Sequence, residues 1–227
     1  MKDKPFVSFF ILEMVSDQLL SRMLAAESRV HGNKIRTGHL SNTEWRQLSF
    51  AQEILSKLNI VFDDSGTVKI NDLRQKCRKL KQEKRLDLVI IDYLQLLSGS
   101  NPGVNRVQEV SEISRVLKEM AREMKIPVIA LSQLSRNVER RDDRKPVMAD
   151  LRDSGSIEQD ADIILFLYRD DYYNPKTTDR PNQVDIFISK NRQGATNTDG
   201  FRLSFNKPCS YFENLHGASV DEDLDID

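Results

Sequence analysis

Leu86-Asp-Leu-Val-Ile-Ile-Asp92-Tyr-Leu-Gln-Leu-Leu97 decides how the rest of the chain is read. Residues 88–91 form an unbroken run of leucine and β-branched side chains, with no alternation of apolar and polar positions. Such a run suits a strand buried on both faces, inside a parallel sheet covered by helices. Asp92 follows at once, where that strand would leave the sheet. Open α/β sheets bind ligands just beyond the carboxyl ends of their strands. A carboxylate there can hold magnesium beside a nucleotide's phosphates, directly or through water. The plainer alternative is an Asp that caps the next helix.

Other segments repeat the pattern. Pro5-Phe-Val-Ser-Phe-Phe-Ile-Leu12 is aromatic and β-branched and predicts a strand, with Glu13 at its carboxyl end. Ser16-Asp-Gln18 reads as a cap opening a helix through Leu19, Leu20, Met23 and Leu24. Ser41 or Asn42, with Glu44, opens a second helix to about Leu58 that includes Trp45, Leu48, Ile54 and Leu55. Residues 59–62 make a short strand stopped by Asp63-Asp-Ser-Gly66. Ile70, Leu73, Cys77 and Leu80 form one stripe of a third helix. Its other faces carry Arg74, Lys76, Arg78, Lys79, Lys81 and Lys84, a density that a solvated face explains more simply than a polyanion site.

Beyond Leu97, a Gly/Ser/Asn loop at 98–105 leads to a strong helix. Val107, Val110, Ile113, Leu117, Met120 and Met124 recur there every three or four residues. Ile126-Pro-Val-Ile-Ala-Leu131 is another buried-strand run, ending at Ser132-Gln133. A long charged loop with Arg136, Arg140, Arg141 and Arg144 reaches Pro146, and Asp162-Ile-Ile-Leu-Phe-Leu-Tyr168 is strand again. Residues 183–189 and 201–205 alternate as an antiparallel ribbon at a sheet's edge does, joined through Lys190-Asn-Arg-Gln-Gly194.

Bulk properties set the class. At 227 residues, 39% hydrophobic and 30% charged, the chain is an ordinary globular protein with room for one sizeable α/β domain or two small ones. The net charge of −1 hides an uneven distribution: Asp221, Glu222, Asp223, Asp225 and Asp227 crowd the end, and the remainder holds 34 basic against 30 acidic residues. That balance tolerates nucleic acid without arguing for it. Cys77 and Cys209 stand in no ligand-like spacing, which fits a reduced, cytosolic protein without structural zinc. The apolar run at 6–12 is too short for a membrane span and lacks a cleavage site.

Glu13, Asp92 and Gln133 thus each follow an apolar strand at its carboxyl end, and right-handed crossovers put three such ends along one edge. An acid to polarise water, an acid to hold magnesium and an amide to sense phosphate suit nucleotide hydrolysis. Three helix caps coinciding by chance is the competing explanation.

The order and wording of these segments also resemble a known family. Ile11-Leu-Glu-Met14, Val89-Ile-Ile-Asp-Tyr-Leu-Gln-Leu96, Ala130-Leu-Ser-Gln-Leu-Ser-Arg136 and Asp150-Leu-Arg-Asp-Ser-Gly-Ser-Ile-Glu-Gln-Asp-Ala-Asp162 look like the bacterial replicative DNA helicase of the DnaB type. Tyr168-Arg-Asp-Asp-Tyr-Tyr173 and Lys190-Asn-Arg-Gln-Gly194 extend the match, which covers residues 5 to about 212. The resemblance implies a RecA-like motor domain: a mostly parallel sheet flanked by helices, with an antiparallel edge ribbon. It also implies ATP and magnesium as cofactors and a homo-hexamer around single-stranded DNA. Primase and a helicase loader would be partners, in the cytoplasm at the nucleoid and replisome, with no membrane. By the same resemblance, Glu13 would activate the attacking water, Asp92 would serve the Walker B magnesium role, and Gln133 would sense the γ-phosphate. Lys190 and Arg192 would reach a neighbouring subunit's ATP as a basic finger, although read locally the pair is only a charged turn. Loops 98–105 and 142–156 would line the channel, with Arg152, Asp153 and Gly155 tracking the phosphate backbone. The family commonly has Glu at the position of Asp153 and Ser at that of Ile11.

One departure is chemical. A P-loop needs Gly-x-x-x-x-Gly-Lys-Ser/Thr to cradle phosphates, and none of the nine glycines begins one. In the family that loop, with its strand and helix, precedes the segment matched by residues 5–12, and its strand lies inside the sheet. The expectation is therefore a truncated RecA-like motor domain at 1–216 and a disordered acidic tail at 217–227. Such a chain would look like the carboxyl-terminal piece of a helicase, from a split, truncated or decayed gene, and would lack also the amino-terminal domain that packs the ring. Alone it would hydrolyse ATP negligibly. A non-catalytic relative that binds DNA or helicase partners is one alternative. A RecA-like recombinase is another, disfavoured by the segment at 154–162 and the Lys-x-Arg turn.

Overall fold

The computed structural model describes residues 4–66, 68–100 and 105–215. Of the expected channel loop at 98–105, residues 101–104 lie outside that description, as does the acidic tail at 217–227.

A parallel sheet organises the first half. Its strands β1 (Phe6–Ile11), β2 (Asn59–Asp63), β3 (Leu88–Asp92) and β4 (Val128–Ala130) lie in the order β2-β1-β3-β4. Every pairing is parallel, with Ile11 opposite Asp92 and Ile91 opposite Ala130. Helices α1 (Ser16–Ser28), α2 (Gly32–Thr37) and α3 (Asn42–Ser56) connect β1 to β2. Helix α4 (Ile70–Lys84) connects β2 to β3, and α5 (Arg106–Met124) precedes β4.

The main core lies between this sheet and the stripes of α4 and α5. Phe10, Val89 and Ile91 of the sheet cluster there with Ile70, Leu73, Cys77, Ile113 and Met120, all essentially inaccessible. Alternate side chains of a strand face opposite sides, so Leu88 and Ile90 point the other way and are only half-buried. The run expected to be buried on both faces is fully buried on one. Burial also holds the Cys77 thiol up at about 12, leaving it an inert packing group.

Caps fix where helices begin. Ser41 accepts from the Glu44 N–H, and the Glu44 carboxylate accepts from the Ser41 N–H at 2.8 Å, the reciprocal pair that opens α3. Ser16 does not cap α1 as expected; its N–H and hydroxyl both donate to Asp64 instead, at 3.1 and 2.8 Å. Val107 is exposed rather than core, because it sits in the first turn of α5, beside the Asn105 cap. The basic faces of α4 are paired: Arg74 and Arg78 with Glu123 of α5, and Lys76 with Asp63.

The second half forms an antiparallel sheet. After α6 (Gly155–Asp160), strand β5 (Ile163–Tyr168) and helix α7 (Asp170–Tyr173) lead to β6 (Gln183–Asn191), β7 (Asn197–Asn206) and β8 (Tyr211–Asn214). The strand order is β5-β6-β7-β8, so the expected ribbon belongs to a sheet of four strands among the described residues. Ile164, Phe166, Tyr168 and Phe187 form its buried face with Leu151.

Two substitutions test the main core by urea unfolding. Leu73→Ala is expected to lower stability by about 2–5 kcal/mol, the cost of a cavity at a closed site. The Ser8 hydroxyl is buried without a partner among the described residues. Ser8→Ala is therefore expected to raise stability by about 1 kcal/mol; a loss on that change contradicts the packing described.

Candidate functional site

Because β1, β3 and β4 are parallel neighbours, their carboxyl ends share one rim. The Leu12 N–H donates to the Asp92 carbonyl at 2.8 Å, so Glu13 leaves β1 just above the level of Asp92. On the other side, the Leu131 N–H donates to the Ile91 carbonyl and the Leu94 N–H to the Leu131 carbonyl, each at 2.9 Å. Gln133 follows two residues later. The Gln95 side chain grips that turn: its oxygen accepts from the Gln133 N–H at 3.1 Å, and its nitrogen donates to the Gln133 carbonyl at 3.0 Å. All three strand-end residues therefore sit on this rim, Glu13 and Gln133 exposed and Asp92 half-buried. The Asp92–Tyr93 peptide is cis.

Charge on the rim is unbalanced. Burial, and then the neighbouring Glu13 charge, push the Asp92 carboxyl above its ordinary range, with Arg22 opposing weakly. A cation would relieve that repulsion. Among the described residues no group of three His, Cys, Asp or Glu side chains could enclose a metal. Magnesium usually keeps several waters and leans on one or two carboxylates plus phosphates, so Asp92 suffices as a protein ligand and the rim fits the ion.

The remaining predicted residues lie on other elements. Residues 148–154 form a 3-10 segment and Gly155 opens α6, so the expected channel loop at 142–156 is largely helical. The side chains at 152–154, including Arg152 and Asp153, lie outside the described set. Asp150, two residues before Arg152, is buried, accepts from the Val147 N–H at 2.8 Å and takes both Arg141 nitrogens at 2.9 and 2.8 Å. The Ser135 N–H also donates to the Asp150 carbonyl at 2.9 Å, two residues after Gln133 and two before Arg152. Lys190 ends β6 with Asn191, and Arg192 follows; both side chains donate to carbonyls at the end of α6.

Sequence reading missed two features. One is the grip of Gln95, visible only once β3 and β4 pair. The other is a cavity of about 380 Å³ at the end of β5, walled by Tyr168, Tyr173, Phe205 and Phe212. Arg169 lies over the Phe205 ring and Arg144 over Tyr173, at 5.1 and 5.4 Å from the ring centres. The segment Tyr168-Arg-Asp-Asp-Tyr-Tyr173 was its signal, but nothing in the sequence brings Phe205 to it.

The raised Asp92 carboxyl gives a pH test. Protonation is easier in the folded chain than in the unfolded one, so ionised Asp92 costs stability above the raised value and the cost vanishes below the ordinary 3.8. Asp92→Asn should melt higher than the parent at pH 7, with the gap closing as pH falls toward 3.8. A parent chain that melts at or above the variant at pH 7 contradicts the crowding at the rim.

Comparison with known proteins gives the family and the fold. The model of the DnaB-like helicase C terminal domain matches residues 1–214. The replicative DNA helicase DnaB of Geobacillus stearothermophilus is 51% identical over 210 residues, which are 92% of this chain and 46% of that protein. The chain thus spans about half the length of the curated relatives it matches. One solved structure, of an ATPase domain, superimposes with a TM-score of 0.88 at 40% identity, over 93% of this chain and 75% of that one. A DnaB-like replicative helicase, described with its interactions with primase, gives the same TM-score and identity over 93% of this chain and 51% of that one. The fold is the RecA-like α/β arrangement expected from the sequence. With family match, identity and fold in agreement, the chain belongs to the DnaB-like helicase C-terminal domain family.

Proposed function

We propose that this chain is part of a replicative helicase motor that couples ATP hydrolysis to translocation on single-stranded DNA and duplex unwinding, within a homo-hexamer. The observation that carries the reading is the shared rim of Glu13, Asp92 and Gln133 in a member of this family. Glu13 orients and deprotonates the attacking water, and Asp92 holds magnesium, which when bound offsets phosphate charge. Gln133, its backbone fixed by Gln95, senses the γ-phosphate; the Ser135–Asp150 hydrogen bond leads from it toward Arg152, Asp153 and Gly155 at the DNA. Lys190 and Arg192 face the ATP of a neighbouring subunit. The aromatic cavity beside Arg169 has the flat walls on which a nucleotide base stacks. Primase and a helicase loader are the partners, in the cytoplasm at the replisome. Among the described residues no helix is long and apolar enough to cross a membrane.

The phosphate cradle comes from outside these 227 residues, none of which supplies a P-loop sequence. The run at 126–131 was expected to be buried, yet Ile129 in β4 is 49% exposed and Leu131, just past it, 45%: β4 is an edge strand among the described residues, and the face that carries Ile129 is left open. Strand β5 is likewise an edge, with Ile163, Leu165 and Leu167 more than half exposed. An apolar strand paired at such an edge, with a glycine-lysine loop and its helix laid on the open face, would cover these side chains and bring phosphate-binding N–H groups to the rim. The absent P-loop sequence also favours a second reading, a non-catalytic DNA- or helicase-binding relative.

Alone, the chain is expected to hydrolyse ATP negligibly. Mixed with a P-loop-bearing fragment of a relative, it should gain DNA-stimulated ATPase that Glu13→Ala lowers by roughly 10²–10⁴-fold. Continued inactivity with the fragment bound supports the second reading. Turnover by the chain alone that Glu13→Ala abolishes contradicts the need for an outside P-loop. Affinity for oligothymidylate should fall steeply with salt, by a log–log slope of about −0.7 per phosphate contact; a flat titration removes the DNA-channel assignment.

A further inference from the structure

Lys190 and Arg192 are not free cations in this fold. Lys190 Nζ donates to the carbonyls of Glu158 and Gln159, and Arg192 donates to that of Gln159. These carbonyls lie in the last turn of α6, where intrahelical donors run out and cations are favoured. Asp162, two residues past α6, accepts the Arg192 N–H at its backbone at 2.9 Å, while its carboxylate lies 3.7 Å from the Arg192 guanidinium. That carboxylate also takes Lys118 of α5, and Ser114 of α5 donates to Asp160 at 2.7 Å. One short helix thus has Gly155 at its start and both cations clasped at its end.

We propose that Asp162 is a positioning residue: with the carboxyl end of α6 it holds Lys190 and Arg192, so that movement at the Gly155 end is passed to the cation pair. This rests on the reading of Arg152, Asp153 and Gly155 as DNA contacts. A helix of six residues is only about 9 Å long and transmits displacement as a rod rather than bending. DNA held at one end of α6 then changes how firmly the cations are held at the other. Arg192 keeps 43% of its side chain exposed, so it can reach outward without unfolding the hairpin.

The test uses the full chain, an oligothymidylate and brief acetylation read by mass spectrometry, with exposed Lys176 as internal reference. In the free chain Lys190 should react more slowly than Lys176. Saturating oligothymidylate should change the Lys190 rate by about two- to tenfold, the range set by one net hydrogen bond such as those Lys190 donates to the α6 carbonyls. In Asp162→Asn, checked for folding by circular dichroism, Lys190 should react faster without DNA and show no response to it; Asp162→Glu should restore the response. Binding by anisotropy with no change at Lys190 in the parent chain overturns the proposal, and that arm needs no variant. An equal response in Asp162→Asn overturns it too. Absence of binding at low salt is a different failure: it removes the DNA contacts themselves, and the proposal falls with them.

Discussion

The parallel pairing of β1 with β3 is the constraint on which the rest depends. Its last bond, from the Leu12 N–H to the Asp92 carbonyl at 2.8 Å, sets two acidic side chains side by side. A one-residue slip in a parallel pair would turn one strand's side chains to the opposite face. Phe10, Val89 and Ile91 are buried on the face packed by α4 and α5, so a slip would expose this core. Hydrophobic burial, at about 25 cal/mol per Å², therefore fixes the register, and the register fixes the carboxylates. The crowding of Glu13 against Asp92 follows from packing elsewhere.

The two sheets communicate through helix ends and loops. Helix α5 contributes Met120 and Ile113 to the main core and Ser114 and Lys118 to the Asp160–Asp162 turn. The loop after Gln133 is joined to residues 148–154 by Asp150, whose carboxylate is buried against Arg141. Removing one partner of a buried pair costs far more than removing an exposed one. Loss of Arg141 is accordingly expected to cost more than loss of the surface pairs of Arg74 and Arg78 with Glu123. The Glu123 carboxyl is held down at about 2 by those arginines, yet it lies at the surface and the pairs contribute little rigidity.

Much of this was legible in the residues. Strands β1 and β3 and the stripes of α4 and α5 followed from runs and spacings, because burial selects side chains at the period of the backbone. The strand-end residues were legible because parallel topology sends carboxyl ends to one edge. Local signals failed where a distant partner won: Asp64 captured the donors of Ser16. Helix α2 was missed because its six residues carry one aliphatic side chain and no repeating stripe. The apolar run at β4 gave no sign of being an edge, since a sequence shows what a strand can bury but not whether a neighbour covers it. The hold of α6 on Lys190 and Arg192 needed contacts across some thirty residues, out of reach of any local pattern.

The convergence of strand ends is tested most directly by a carboxyl-carbon NMR titration of Asp92, in the parent chain and in Glu13→Gln. Asp92 should titrate above the ordinary 3.8 in the parent. It should move part of the way down in the variant, since burial persists after the neighbouring charge is gone. An Asp92 that titrates identically in both chains would mean that Glu13 lies away from it, and the shared rim would be contradicted.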